Sequence, residues 1–175
     1  LQKISTNTEI VGIIGLGYVG LPLAVNFAEA GIHVIGFEKS QEKANLVNKG
    51  DNYIGDIRDA VSKEVIEKVI LPKTKEDGID LVCGGPPCQG FSGIGHRRSF
   101  SVEKEDIPTN HLFQEMIRVI NKIQPNVFLF ENVQGLLSSK WTNKGVKGEI
   151  FRDVWKAFSS IKGYVAQPTL IHAYG

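Results

Sequence analysis

The segment Gly15-Leu16-Gly17-Tyr18-Val19-Gly20 constrains the fold more than any other part of the chain. It has the spacing G-x-G-x-x-G. It follows the apolar run Ile10–Ile14 and opens a stretch, Gly20–Ala30, that reads as a helix ended by Gly31. A buried strand, a tight turn and a helix in that order begin a βαβ unit. Gly15 permits the turn, Gly17 lets a phosphate-bearing ligand approach the backbone, and Gly20 lets helix and strand pack closely. The unpaired N–H groups at the helix start face that ligand with a partial positive charge. Glu38 lies eighteen residues beyond Gly20, at the end of a second strand, His33–Phe37, where a carboxylate can bind ribose hydroxyls. Gly15, Gly17, Tyr18, Val19, Gly20 and Glu38 are therefore candidate cofactor-binding residues. The alternative is a βα turn that needs glycine for its geometry alone.

The alternation continues. Ser40 caps a helix to about Asn48, Asn52–Ile54 is a weak third strand, and Ser62 caps a helix with Val65, Ile66, Val69 and Ile70 at helical spacing. Ile79–Cys83 is a fourth strand. Residues 90–109 show no clear period and read as a long loop, a feature that is usually functional inside a compact domain. Asn110 caps a helix striped by Leu112, Met116, Val119, Ile120 and Ile123. Val127–Phe130 is a fifth strand, and Val146, Ile150, Val154, Phe158 and Ile161 stripe another helix. Tyr164–Ala173 is a sixth strand, interrupted by Pro168. This pattern predicts a Rossmann-like three-layer α/β/α fold: a mainly parallel six-stranded sheet, order 3-2-1-4-5-6, with residues 1–175 as one domain.

Composition excludes several classes. With 175 residues, 42% of them hydrophobic and 22% charged, the chain can bury a core and is neither disordered nor collagen-like. A net charge of +1 gives no overall positive field, so nucleic-acid binding requires a local patch. The stretch Ile10–Val25 is too short and too glycine-rich for a membrane span, and Ala28-Glu29-Ala30 only mimics a signal-peptidase site. Two cysteines, Cys83 and Cys88, build no disulfide framework and predict a reducing, cytoplasmic setting. His33, His96, His111 and His172 lack metal-ligand spacing, so no metal site is expected. The start at Leu1 and the stop at Gly175 read as cut ends.

A second signature, Gly85-Pro86-Pro87-Cys88-Gln89-Gly90-Phe91-Ser92, follows the fourth strand. That puts Cys88 at the carboxyl edge of the sheet, where ligands of α/β folds bind. The prolines fix the backbone around the thiol. Cys83, inside the strand, is expected to be an inert core residue.

Two families are suggested by these signatures. Ile10-Val11-Gly12-Ile13-Ile14-Gly15-Leu16-Gly17-Tyr18-Val19-Gly20-Leu21-Pro22-Leu23-Ala24 resembles the start of nucleotide-sugar 6-dehydrogenases, which oxidise UDP-glucose-type and UDP-N-acetylglucosamine-type sugars with NAD. The likeness runs on through Phe27-Ala28-Glu29-Ala30-Gly31 and Val34-Ile35-Gly36-Phe37 and fades near Gly50; that family usually has Asp where Glu38 stands. The Pro-Pro-Cys segment resembles the catalytic loop of cytosine-C5 DNA methyltransferases. Gly55-Asp56-Ile57, Phe130-Glu131-Asn132-Val133, Gly135-Leu136-Leu137 and Gly163-Tyr164-Val165 through His172-Ala173-Tyr174-Gly175 extend that likeness over residues 53–175. It implies that Cys88 attacks C6 of a flipped cytosine and that Glu131 protonates or hydrogen-bonds N3. It also implies that Asp56, Ile57 and Pro86 join the cofactor site, and that Arg97 and Arg98 meet DNA phosphates.

The two resemblances meet near Asn52–Ile57. Together they predict a chimera, engineered rather than natural, with residues 1–52 dehydrogenase-like and residues 53–175 methyltransferase-like. Its glycine loop is expected to prefer NAD over S-adenosylmethionine. Its cytosine site is expected to be truncated and without turnover, and its contact with DNA weak. Two alternatives stand beside this reading: an S-adenosylmethionine-dependent DNA (cytosine-5) methyltransferase acting through Cys88, and a fragment of an NAD-dependent nucleotide-sugar dehydrogenase.

Overall fold

The apolar run that precedes the glycine loop becomes the central strand. Ile10–Ile14 form β1, and all five residues are buried, as in a strand covered on both faces. The structure, a computed structural model, describes residues 8–17, 19–38, 78–86 and 103–172, and the backbone of Asp51–Ile54. After β1 come α1 (Gly20–Glu29), β2 (His33–Glu38), β3 (Asp51–Ile54), β4 (Leu81–Gly84), α2 (Leu112–Ile123), β5 (Val127–Phe130) and α3 (Glu149–Ser159). Short 3-10 turns occupy Lys104–Asp106, Pro108–His111 and Gln134–Ser138. The chain divides into two compact units, Leu1–Pro86 with Arg118–Glu131, and Pro87–Ile117 with Asn132–Gly175.

The first unit holds a five-stranded parallel sheet in the order β3-β2-β1-β4-β5, the first five positions of the expected order. One face of β1 packs under α1: Val11, Ile13, Leu16, Ala24, Val34 and Cys83 form a buried cluster, with Leu23 and Phe27 against it. On the other face Gly12 leaves room for its neighbours, since a Cβ there would come within 3.3 Å of the Phe37 ring. Asp80 sets the register at the amino edge. Its Oδ2 accepts the Ile10 N–H at 3.0 Å and its Oδ1 accepts the Asn126 amide at 2.9 Å. Its backbone bonds Ile10 O and receives the Val127 N–H, so one residue ties the starts of β1, β4 and β5. The helix α1 stops where expected, with Gly31 at φ 85° supplying the left-handed turn.

In the second unit α3 buries Ile150, Val154 and Phe158, followed by Ile161, and it packs on the Gln134–Ser138 turn, where Leu136 is buried.

Three expectations are corrected. Residues 164–172 form no strand; Val165 and Ile171 are 96% and 82% exposed. An apolar alternation earns a strand only with a neighbour to pair with, and Pro168 removes a ladder donor from the middle of this one. The helix expected from Asn110 is preceded by a 3-10 turn that starts on Pro108, whose missing N–H is no loss at a first position; Asn110 lies buried inside that turn. Val146 precedes α3 and is 63% exposed, because the helix begins only at Glu149, after Gly148 at φ 77°. The helices expected at 40–48 and 62–70 lie outside the described residues.

Candidate functional site

The ends of parallel strands set out a row of backbone positions, and the register aligns Ile14 with Phe37 and Gly84, Glu38 with Ile54, and Gly84 with Phe130. Glu38, the glycine loop, Gly85 and Glu131 therefore come to one edge of the sheet.

The glycine loop is built tightly. Gly15 takes φ 81°, a left-handed conformation natural only to glycine, and its N–H donates to Phe37 O at 2.8 Å. Leu16 turns inward and is buried, and its N–H donates to Glu38 Oε2 at 2.8 Å. Glu38 is itself buried, so its carboxylate anchors the loop to the end of β2. A Cβ on Gly20 would fall 1.9 Å from the Gly15 carbonyl oxygen, so no side chain fits there. Gly17 differs. A Cβ on it would meet nothing within 4 Å, leaving the loop's outer face open to a ligand. Val19 is exposed beside it.

At the other end of the row, the Glu131 N–H donates to Gly84 O at 2.9 Å, which extends the β4–β5 pairing by one residue. The Glu131 side chain is exposed, and its Oε2 lies 2.8 Å from where a Cβ on Gly85 would stand. Glycine at 85 thus makes room for the carboxylate. Pro86 is buried directly after it. Between the two ends opens a cleft of about 370 Å³, lined among others by Ile14, Val19, Gly20, Leu23, Gly85 and Glu131. Its walls are mostly apolar with few polar groups, the usual make-up of a small-molecule site. Cys83 lies in the buried wall, and burial pushes its thiol up to about 11, which leaves it inert at neutral pH, as expected.

Of the expected site residues, Gly15, Gly17, Val19, Gly20, Glu38, Pro86 and Glu131 fall within the first unit. Tyr18, Asp56, Ile57, Cys88, Arg97 and Arg98 lie outside the described residues. Leu16 and Gly85 were not singled out from the sequence. The pair Gly84-Gly85 after a buried strand was the available signal for the second. Among the described residues no helix is long and apolar enough to cross a membrane.

The family described as C-5 cytosine-specific DNA methylase matches residues 20–174. A type II methyltransferase of Fusobacterium nucleatum is 32% identical over 154 residues, 85% of this chain and 40% of that protein. Another, of Bacillus paralicheniformis, is 36% identical over 95 residues, 54% of this chain and 19% of that protein. The crystal structure of a prophage-encoded E. coli protein, titled as a DNA modification methyltransferase, superposes with a TM-score of 0.56 at 25% identity, covering 86% of this chain and 38% of its own. The chain thus spans less than half the length of these relatives.

These findings overturn the NAD assignment, and nothing in them supports a chimera. The family match spans residues 20–174, on both sides of the expected join at 52–57, and its range includes Glu38. Cytosine-C5 methyltransferases use S-adenosylmethionine, not NAD, and no comparison supports a dehydrogenase segment. The geometry explains the error. Gly15 is required by its positive φ and Gly20 by the Gly15 carbonyl, so two of the three glycines serve turn closure and say nothing about a diphosphate.

Proposed function

Because the chain belongs to the C-5 cytosine-specific DNA methylase family, we propose that it carries the catalytic core of an enzyme that methylates C5 of cytosine in DNA from S-adenosylmethionine. The observation that carries this reading is the Glu131 carboxylate, seated over Gly85 three residues before Cys88 at the carboxyl edge of β4 and β5. A carboxylic acid at the carboxyl edge of the sheet and a cysteine three residues along the chain from Gly85 are the acid and nucleophile this chemistry needs.

In this reading the cytosine leaves the duplex, because its ring carbons are out of reach within the stack. The Cys88 thiolate bonds to C6. Glu131 holds a proton at N3 and draws electron density from the ring. S-adenosylmethionine, when bound, would supply an electrophilic methyl group to C5, its sulfur keeping the electron pair of the broken S–CH3 bond. Loss of the C5 proton then restores the aromatic ring and releases the Cys88 thiolate. Arg97 and Arg98, in the segment after Cys88, contact phosphates. The residues present suit a sulfonium nucleoside: open space over Gly17 and an apolar cleft beside it, at the sheet edge where Glu38 ends β2. Asp56, Ile57 and Pro86 complete that site.

The test uses tritiated S-adenosylmethionine with mixed-sequence duplex DNA, alongside thermal shift with the same ligand. Bound ligand at a hundred times its dissociation constant stabilises by about 2.7 kcal/mol. Label is expected on cytosine and is lost in Cys88→Ser. It is reduced on the order of a hundredfold or more in Glu131→Gln. Gly85→Ala, which pushes the carboxylate aside, lowers transfer while leaving the melting temperature close to wild type. Label that persists in Cys88→Ser, or the absence of both ligand binding and label in the wild type, overturns the reading.

A further inference from the structure

The chain as a whole is nearly neutral, but its charge is unevenly spread. Residues 140–162 hold six cations, Lys140, Lys144, Lys147, Arg152, Lys156 and Lys162, against two carboxylates, Glu149 and Asp153, which leaves +4. The remaining fourteen cations and seventeen carboxylates leave −3. All six cationic residues are exposed.

Both carboxylates in this segment accept hydrogen bonds from local donors, Glu149 half-buried and Asp153 exposed. Glu149 accepts the Trp141 N–H through Oε1 at 2.6 Å and the Val146 N–H through Oε2 at 2.8 Å. These bonds hold its carboxyl below the usual range. A Cβ on Gly145 would strike Glu149 Oε1, so glycine is needed where the turn closes over the carboxylate. Asp153 accepts the Trp141 indole N–H at 2.7 Å. The turn is fastened again from outside. Glu103 receives the Asn143 backbone N–H at 2.9 Å and its side-chain amide at 3.2 Å, and the His111 ring stacks on Trp141, 5.1 Å apart and 3° from parallel.

The lysines of residues 140–147 therefore project from a turn whose backbone is already ordered. On α3, Arg152 and Lys156 stand four residues apart, on the side away from the buried Ile150, Val154 and Phe158 stripe. Arg152 Nη1 donates to Lys147 O at 3.4 Å, which brings Lys147 next to them. The result is a contiguous cationic strip on an ordered support.

We infer that the strip formed by Lys147, Arg152 and Lys156, flanked by Lys140 and Lys144, docks the phosphate backbone of duplex DNA. The inference rests on the proposed function for the identity of the polyanion, and it adds a contact surface to the residues named there. Backbone contacts of this kind set orientation on the duplex and carry no sequence information. Each phosphate neutralised steepens the dependence of log K on log salt by about 0.9.

Fluorescence anisotropy of a labelled mixed-sequence duplex, across a sodium chloride series, tests this with the full chain. The triple variant Lys147→Ala, Arg152→Ala, Lys156→Ala is expected to flatten the salt slope by about 2 to 3. At low salt it should weaken binding at least tenfold, with an unchanged melting temperature. Lys147→Arg with Lys156→Arg retains the wild-type slope. Lys122→Ala, an exposed cation on α2, serves as the control and changes the slope by less than one contact. A wild type that binds DNA and a triple variant with the same slope overturn the docking surface alone. A wild type that binds no DNA at any salt overturns the proposed function with it.

Discussion

Gly20→Ala offers the sharpest check on the glycine loop. The new methyl carbon would sit 1.9 Å from the Gly15 carbonyl oxygen, 3.0 Å from the Gly15 carbonyl carbon and 3.3 Å from Ile13 Cγ2. Ordinary contact begins near 3.4 Å, so loop and helix must separate by about 1.5 Å. The separation is opposed by the Gly15 N–H bond to Phe37 O and the Leu16 N–H bond to buried Glu38, both 2.8 Å. Overpacking a tight site costs about 1–3 kcal/mol. Loosening one buried hydrogen bond adds about 1–3 kcal/mol, and the better helix propensity of Ala returns at most about 1 kcal/mol. The net expectation is about 3 kcal/mol, which for a chain of this size lowers the melting temperature by roughly 6–12 °C. Gly17→Ala is the matched control. Its methyl meets nothing within 4 Å, so stability should stay within about 0.5 kcal/mol while affinity for S-adenosylmethionine falls, because the methyl occupies the open face of the loop. Thermal denaturation by circular dichroism reads the first effect and titration calorimetry the second. A Gly20→Ala protein melting within about 2 °C of wild type, or a Gly17→Ala protein that is the less stable of the two, would refute the reasoning.

Three further outcomes follow from the same geometry. Glu38→Ala leaves the buried Leu16 N–H without its acceptor and should cost about 2 kcal/mol in chemical denaturation, whereas Glu38→Gln keeps an oxygen in place and retains most of that stability. At pH 8 a thiol with a value about 11 is only about 0.1% ionised, so Cys83 should resist maleimide in the folded protein and react on unfolding; fast labelling that survives Cys88→Ser would contradict its burial. Because the Glu149 carboxyl is held below its ordinary 4.5, its contribution to stability is fully present above 4.5 and is lost as pH falls through the lower folded value. Glu149→Gln should remove that acid dependence, seen as loss of the Trp141 fluorescence change as pH falls below 4.5, and an unaltered acid transition would count against the turn's described bonding.

Local signals were legible wherever one segment carries its own instructions. The apolar run Ile10–Ile14, the Gly31 stop and the stripe of α3 follow from periodicity and punctuation along the chain, whereas the β3-β2-β1-β4-β5 order follows from the resemblance to a dinucleotide-binding fold. The grouping of Glu38 with the glycine loop and the inertness of Cys83 follow from the same source. What depends on a partner far along the chain was not legible. A strand exists only by pairing, so the apolar residues 164–172 suggested one that the fold does not make. A G-x-G-x-x-G turn is closed by Gly15 and Gly20 against each other, so its spacing reports a backbone path and not the chemistry of the ligand; that is why it pointed to the wrong cofactor. Tertiary structure alone decided that Glu38 holds Leu16, that Gly85 makes room for the Glu131 carboxylate, and that Glu149 and Asp153 are engaged by Trp141 on a segment otherwise rich in exposed cations. In each case the deciding quantity is a distance between residues that sequence spacing does not record.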